Sequence, residues 1–134
     1  MKNSQKIAVA AGVVIILAIV AYFQFPTSPL SSLRVEDVAE LHLFAAPPEE
    51  KVVLTQEQAA EAVALLRQLR VKQRGYAANF TTGQVIKLTV IRQDGTGVEV
   101  VSSANTGVAV NGVSYRTDAA WAEKFSVFAN HVLQ

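Results

Sequence analysis

A chain of 134 residues without cysteine has room for one domain and a short anchor, and it excludes a disulfide scaffold, a thiolate zinc site, a cysteine nucleophile and a lipid-modified N-terminal cysteine. The formal charge of +1 conceals an asymmetry, because Lys2 and Lys6 stand apart at the start and the other ten basic residues meet eleven acidic ones. The remainder of the chain is therefore near −1, which is not the footprint of a general nucleic-acid binder, so no nucleic-acid partner is expected.

Residues 1–6 are polar and basic, and Ile7 to Phe23 (IAVAAGVVIILAIVAYF) carries no charge. As a helix these residues cover about 25 Å, slightly short of a roughly 30 Å hydrocarbon core. Lys6 can snorkel to one headgroup layer, Tyr22 and Phe23 suit the other, and Pro26 ends the helix. Residues 7–25 thus read as a transmembrane anchor, and the Lys2/Lys6 asymmetry leaves residues 1–6 in the cytoplasm. A cleavable signal peptide shares the basic start. It needs a small residue where Ile19 stands if Ala21 ends it, and bulky Tyr22-Phe23-Gln24-Phe25 follows, so a retained single-pass signal anchor is the reading adopted. Residues 26–33, containing TSPLSSL, read as a spacer, and 34–134 as an extracytoplasmic domain near the membrane surface.

Within that domain Val38 to Phe44 alternates, with Ala39, Leu41 and Leu43 on one face and Glu40, His42 and Phe44 on the other, as in a half-buried strand. Ala45 to Glu50 interrupts, and Lys51 to Leu54 resumes as the second arm of a hairpin with an irregular loop. Thr55-Gln56-Glu57-Gln58 is a capping box, opening a helix to about Arg70 with the apolar stripe Ala59, Ala62, Val63, Leu66 and Leu69. Lys72 to Gly83 is a polar connection. Val85 to Arg92 alternates, Asp94-Gly95 turns the chain, and Val98 to Ser102 returns. Asn105-Thr106-Gly107 marks another turn, and Asn111-Gly112 is a two-residue hairpin signal between Val108–Val110 and Val113–Tyr115. Asp118 can cap a last helix, whose stripe Trp121, Phe125, Phe128 and Val132 needs a sheet to cover. The fold class is α+β: an antiparallel sheet of about six strands, order β-β-α-β-β-β-β-α, with two helices on one face.

Few residues could carry chemistry. Glu40, His42 and His131 contain metal-ligating groups, but their spacing matches no metal signature, and a strand-surface histidine and a helix C-terminal histidine are the plainer reading. No cofactor or metal is expected. Arg67, Arg70, Lys72 and Arg74, with Tyr76 just after them, form the one basic cluster of the domain. They could meet an anionic partner such as a lipid headgroup, a cell-wall polymer or an acidic peptide; the plainer reading is a solvated helix end that complements the helix dipole. Asn79-Phe80-Thr81 matches a glycosylation acceptor only formally. No serine lies in a nucleophile elbow, and the glycines sit between strands, where turns need them.

The apolar span, AELHLF, the capped helix TQEQAAEAVALLRQL, the strand pair VIKLTVIRQDGTGVEVV and NGVSY before a final helix together resemble small cell-envelope domains of Gram-positive bacteria, many of them lipoproteins. This chain departs from them in having no lipobox cysteine, which leaves its helix as the anchor. The resemblance implies no catalytic residue. The expected function is a non-enzymatic binding or envelope-assembly role at the membrane. The alternatives are a cell-surface hydrolase, which would show a deep pocket with converging carboxylates or histidines, and an exported peptide-binding or inhibitor module, which would show an open strand edge.

Overall fold

The computed structural model describes residues 3–24, 26–47, 49–76, 84–103 and 106–134. Its first element, α1 (Asn3–Gln24), is long and apolar enough to cross a membrane, and none of its apolar window Asn3–Val20 is buried against the rest of the protein. Ile7, Val9, Val13, Val14, Ile15, Ile16, Leu17, Ile19 and Val20 are each 51–69 % exposed. Withdrawing such a side chain from water is worth about 1.5–3 kcal/mol. A signal sequence would have the same composition. The side chains of residues 21–24, and with them the expected interfacial role of Tyr22 and Phe23, lie outside the described residues.

The rest is α+β. Strands β1 (Val38–Ala46) and β2 (Glu50–Val53) form the expected hairpin, followed by α2 (Gln56–Gln68), β3 (Val71–Lys72), β4 (Val85–Arg92), β5 (Gly97–Ser103), β6 (Gly107–Val110), β7 (Val113–Thr117) and α3 (Ala119–Leu133). All strands join one antiparallel sheet in the order β2-β1-β4-β5-β6-β7-β3. There are seven strands rather than about six. The additional one, β3, has two residues, too few for alternation to reveal it. It exists because Val71 and Lys72 pair with Thr117 and Arg116 of β7.

Local chemistry explains most boundaries. The Thr55 hydroxyl accepts from the Gln58 backbone N–H (3.3 Å), and Gln58 Oε1 accepts from the Thr55 N–H (3.0 Å), completing the capping box of α2. α2 ends at Gln68, not Arg70, because Leu69 leaves the helical conformation and is itself buried in the core. A helix leaves its last carbonyls without intrahelical donors; here the Leu65 carbonyl is satisfied by Trp121 Nε1–H at 2.8 Å, and the Leu66 carbonyl by the Leu69 N–H. The two-residue β6–β7 turn has Asn111 and Gly112 at φ 50° and 82°, the left-handed pair that such hairpins require. At the β4–β5 turn Asp94 accepts from the Thr96 hydroxyl (2.6 Å) and backbone N–H (2.9 Å). The turn expected at Asn105-Thr106-Gly107 lies partly outside the described residues. Asp118 holds the N-cap position of α3, but its side chain makes no capping hydrogen bond, so that expectation is corrected.

Both domain helices cover one face of the sheet. Leu41, Leu43, Ile86, Leu88, Val90, Val98, Val100 and Val108 from the strands form a single buried cluster with Val63 and Leu66 of α2 and Trp121, Phe125, Phe128 and Val132 of α3. Trp121 stacks on Phe125 with ring centroids 5.0 Å apart. Ala39 does not join this face as its alternation suggested, because the β1–β4 register shifts between Val38 and Glu40 and a bulge places Ala39 in solvent.

The segment expected as a spacer belongs to the packed unit. Thr27 exchanges two backbone hydrogen bonds with Val71, each 2.8 Å, extending the sheet beyond β3. Leu30 and Leu33 are 5 % and 4 % exposed within the core cluster. After a short 3-10 turn, Val35–Asp37, the Asp37 carbonyl accepts from the Gln93 N–H at the β4–β5 turn. Residues 27–37 are thus a strap running from the β3 edge to the start of β1. Apolar periodicity missed it because two leucines among serines and prolines form no repeat.

Candidate interaction surfaces

Because α2 and α3 share one face, alternation sends the other set of strand side chains to a face that no described helix covers. On it Phe44 of β1 lies between Lys51 of β2 and Lys87 of β4, with their ammonium groups 5.8 and 5.5 Å from the ring centroid. The pairings Phe44↔Lys51 and Phe44↔Lys87 place these residues directly opposite one another. They border an open concavity of about 640 Å³, also lined by His42, Glu49, Val53 and Thr89. Val53 is 58 % exposed. Each ammonium over the ring is a cation–π contact, which fixes the lysines as a charged rim around an apolar centre.

Glu40 and His42, two residues apart on β1, point to the same uncovered face and meet each other, Nε2 to Oε2, at 2.8 Å in an exposed position. His131 is on α3, across the sheet, lining a shallow groove with Glu61, Leu65 and Val127. The sheet therefore separates the residues that sequence alone could group as ligands, and no set of three metal-ligating side chains occurs among the described residues. Asn79-Phe80-Thr81 lies outside them.

The basic cluster is divided by the fold. Arg67, on the last turn of α2, faces the strap and borders a groove with Arg34 and Glu36. Arg70 and Lys72 flank buried Val71, so both project to the side away from the core, and Arg74 follows in the turn that leads to Gly75. Directly opposite Lys72 in the β3–β7 ladder is Arg116, which is exposed. Sequence reasoning left Arg116 out because it is 44 positions from Lys72, and strand register alone brings the two together. Opposed side chains in an antiparallel ladder have Cβ atoms about 4.5–5.5 Å apart, and like charges there repel. Among the described residues no carboxylate pairs with Arg70, Lys72 or Arg116.

Compared with protein-family models, curated proteins and solved structures, the chain matches none of them.

Proposed function

We propose that this protein is a single-pass membrane-anchored binding module: α1 spans the bilayer with its N-terminus in the cytoplasm, and the α+β domain, outside, offers the uncovered face of its sheet to a partner of the cell envelope. The observation carrying this reading is the junction between the two parts. α1 finds no apolar cover in the domain, yet Thr27, three residues beyond its end, is hydrogen-bonded into the sheet. A helix so apolar needs lipid around it, and the domain then sits against the membrane surface. Lys2 and Lys6 before the span, with no basic residue after it until Arg34, favour a cytoplasmic N-terminus. Phe44 and exposed Val53 supply the aromatic and apolar material of a protein contact.

The hydrolase alternative draws less support, since His42 and Glu40 meet in a solvent-exposed position and the concavity beside them is open. A second reading has its own observation: β2 is an edge strand with no described neighbour on its outer side, whereas the opposite edge is occupied by Thr27. An extended peptide could add there as a further strand.

Two measurements test the proposal. Reporter fusions at Gln134 should be active only with an exported reporter, and an active cytoplasmic reporter would overturn the topology. A photo-crosslinking phenylalanine at Phe44 should give a discrete adduct in intact membranes, while the same probe at Glu57, at the start of α2, should not. Correctly inserted protein without a Phe44 adduct would remove the binding role.

A further inference from the structure

We infer that the β3–β7 edge, through Arg70, Lys72 and Arg116, is a contact surface for anionic phospholipid headgroups of the leaflet from which α1 emerges. The inference rests on the reading of α1 as a membrane span and adds to it which side of the domain faces the lipid. Position and charge carry it independently. Two residues separate Gln24, the last of α1, from Thr27, so the three chain steps reach at most about 11 Å. Thr27 is fixed to Val71 by two hydrogen bonds, so the β3 edge lies at the helix exit, not at the end of a loose tether.

Strand alternation then puts Arg70 and Lys72 on one side of buried Val71, and the β3–β7 register puts Arg116 directly beside Lys72. Three cations thus gather on one face without a carboxylate partner among the described residues. Lys72 opposite Arg116 is a repulsive arrangement that a polyanionic surface would relieve. Lys72 and Arg116 lie one and two strand spacings inward of Thr27, about 5 and about 10 Å, on the scale of the Debye length of about 8 Å at physiological ionic strength, so these charges sense a headgroup layer at the helix exit. Arg67 is excluded from the contact, since it faces the strap by Arg34 and Glu36.

The absence of cysteine allows a single labelling site. Ser114 lies on the same side of β7 as Arg116, two residues away. Full-length protein carrying a nitroxide at Ser114→Cys is reconstituted in phosphatidylcholine vesicles with and without phosphatidylglycerol, and collision with an aqueous nickel chelate is read by power saturation. Anionic lipid should lower the accessibility of this site about two-fold or more, and high salt or Lys72→Gln with Arg116→Gln should restore it. A nitroxide at Val53→Cys, on the far edge, should not respond. Accessibility at Ser114 that ignores lipid charge, or a change that survives the double substitution, overturns the inference while leaving the span intact. Release of the protein from the vesicles by alkaline extraction overturns the span, and this inference with it.

Discussion

The strap gives the sharpest test of how the domain is held together. Leu30 and Leu33 are 5 % and 4 % exposed, in the same apolar cluster as the strands and both helices. Truncating a buried leucine to alanine costs about 2–5 kcal/mol, through lost transfer energy and the cavity left behind. Against a total stability of roughly 5–15 kcal/mol, Leu30→Ala or Leu33→Ala alone should shift the urea midpoint clearly. The double substitution should leave a marginal or unfolded domain, because two such losses, about 4–10 kcal/mol together, approach the whole stability. A version beginning at Pro26 should fold cooperatively, and one beginning at Arg34 should not. Trp121 fluorescence during urea unfolding is the assay, since the indole is buried where α2 meets α3. Leu17→Ala on exposed α1 is the control and should leave the midpoint of the detergent-solubilised protein unchanged. A penalty below about 1 kcal/mol for Leu30→Ala would refute the strap as part of the core.

Trp121→Phe should keep the stacking surface but leave the Leu65 carbonyl without its 2.8 Å donor, costing about 1–3 kcal/mol by denaturant unfolding, whereas Trp121→Ala should cost about 3–5; a Trp121→Phe penalty near zero would mean that the hydrogen bond contributes nothing. Thr55→Ala removes the hydroxyl that accepts from Gln58 N–H and should cost about 1 kcal/mol, with a destabilised α2 visible in amide exchange. The hydrogen bonds from the Thr96 hydroxyl and then its N–H hold the Asp94 pKa below the ordinary 3.8. With the folded value lower than the unfolded one, the stability this contributes is present above the unfolded value and lost as pH falls through the folded one. Carboxyl NMR should therefore show Asp94 titrating below 3.8, and Thr96→Ala should bring it back toward that value.

What the sequence disclosed and what it hid divide by range. Asn111-Gly112, the Thr55/Gln58 box and the Trp121-Phe125-Phe128-Val132 stripe are signals written within a few residues, and each has the structure its chemistry demands. The basic cluster was also visible as a run, but which of its members act together was not. That depends on Arg67 turning toward the strap and on Lys72 meeting Arg116, a register fact between strands distant in sequence. Likewise Thr27 has no local reason to be β; it is extended because Val71 offers an N–H and a carbonyl at the sheet edge. The bulge at Ala39 is a third case, since alternation predicts a face only while the ladder keeps step.

The sheet order also gives the proposed function a spatial logic. One edge, β3, is closed by Thr27 at the end of α1 and carries paired cations; the other, β2, is open and borders the Phe44 patch. Lys72 on β3 lies five strand spacings from Phe44 on β1, and Arg116 on β7 lies four, about 24 and about 19 Å at 4.8 Å each. Both exceed a physiological Debye length about two-fold or more, so charges at one end have little electrostatic influence on the other. Effects of substitutions that far apart should also add. Neutralising Lys72 and Arg116 should therefore leave a Phe44 crosslink in place, and Phe44→Ala should leave the lipid response of Ser114→Cys unchanged. If either substitution abolished the other surface's readout in a folded protein, the two edges would belong to a single binding surface, and the division of the sheet into a membrane end and a partner end would fail.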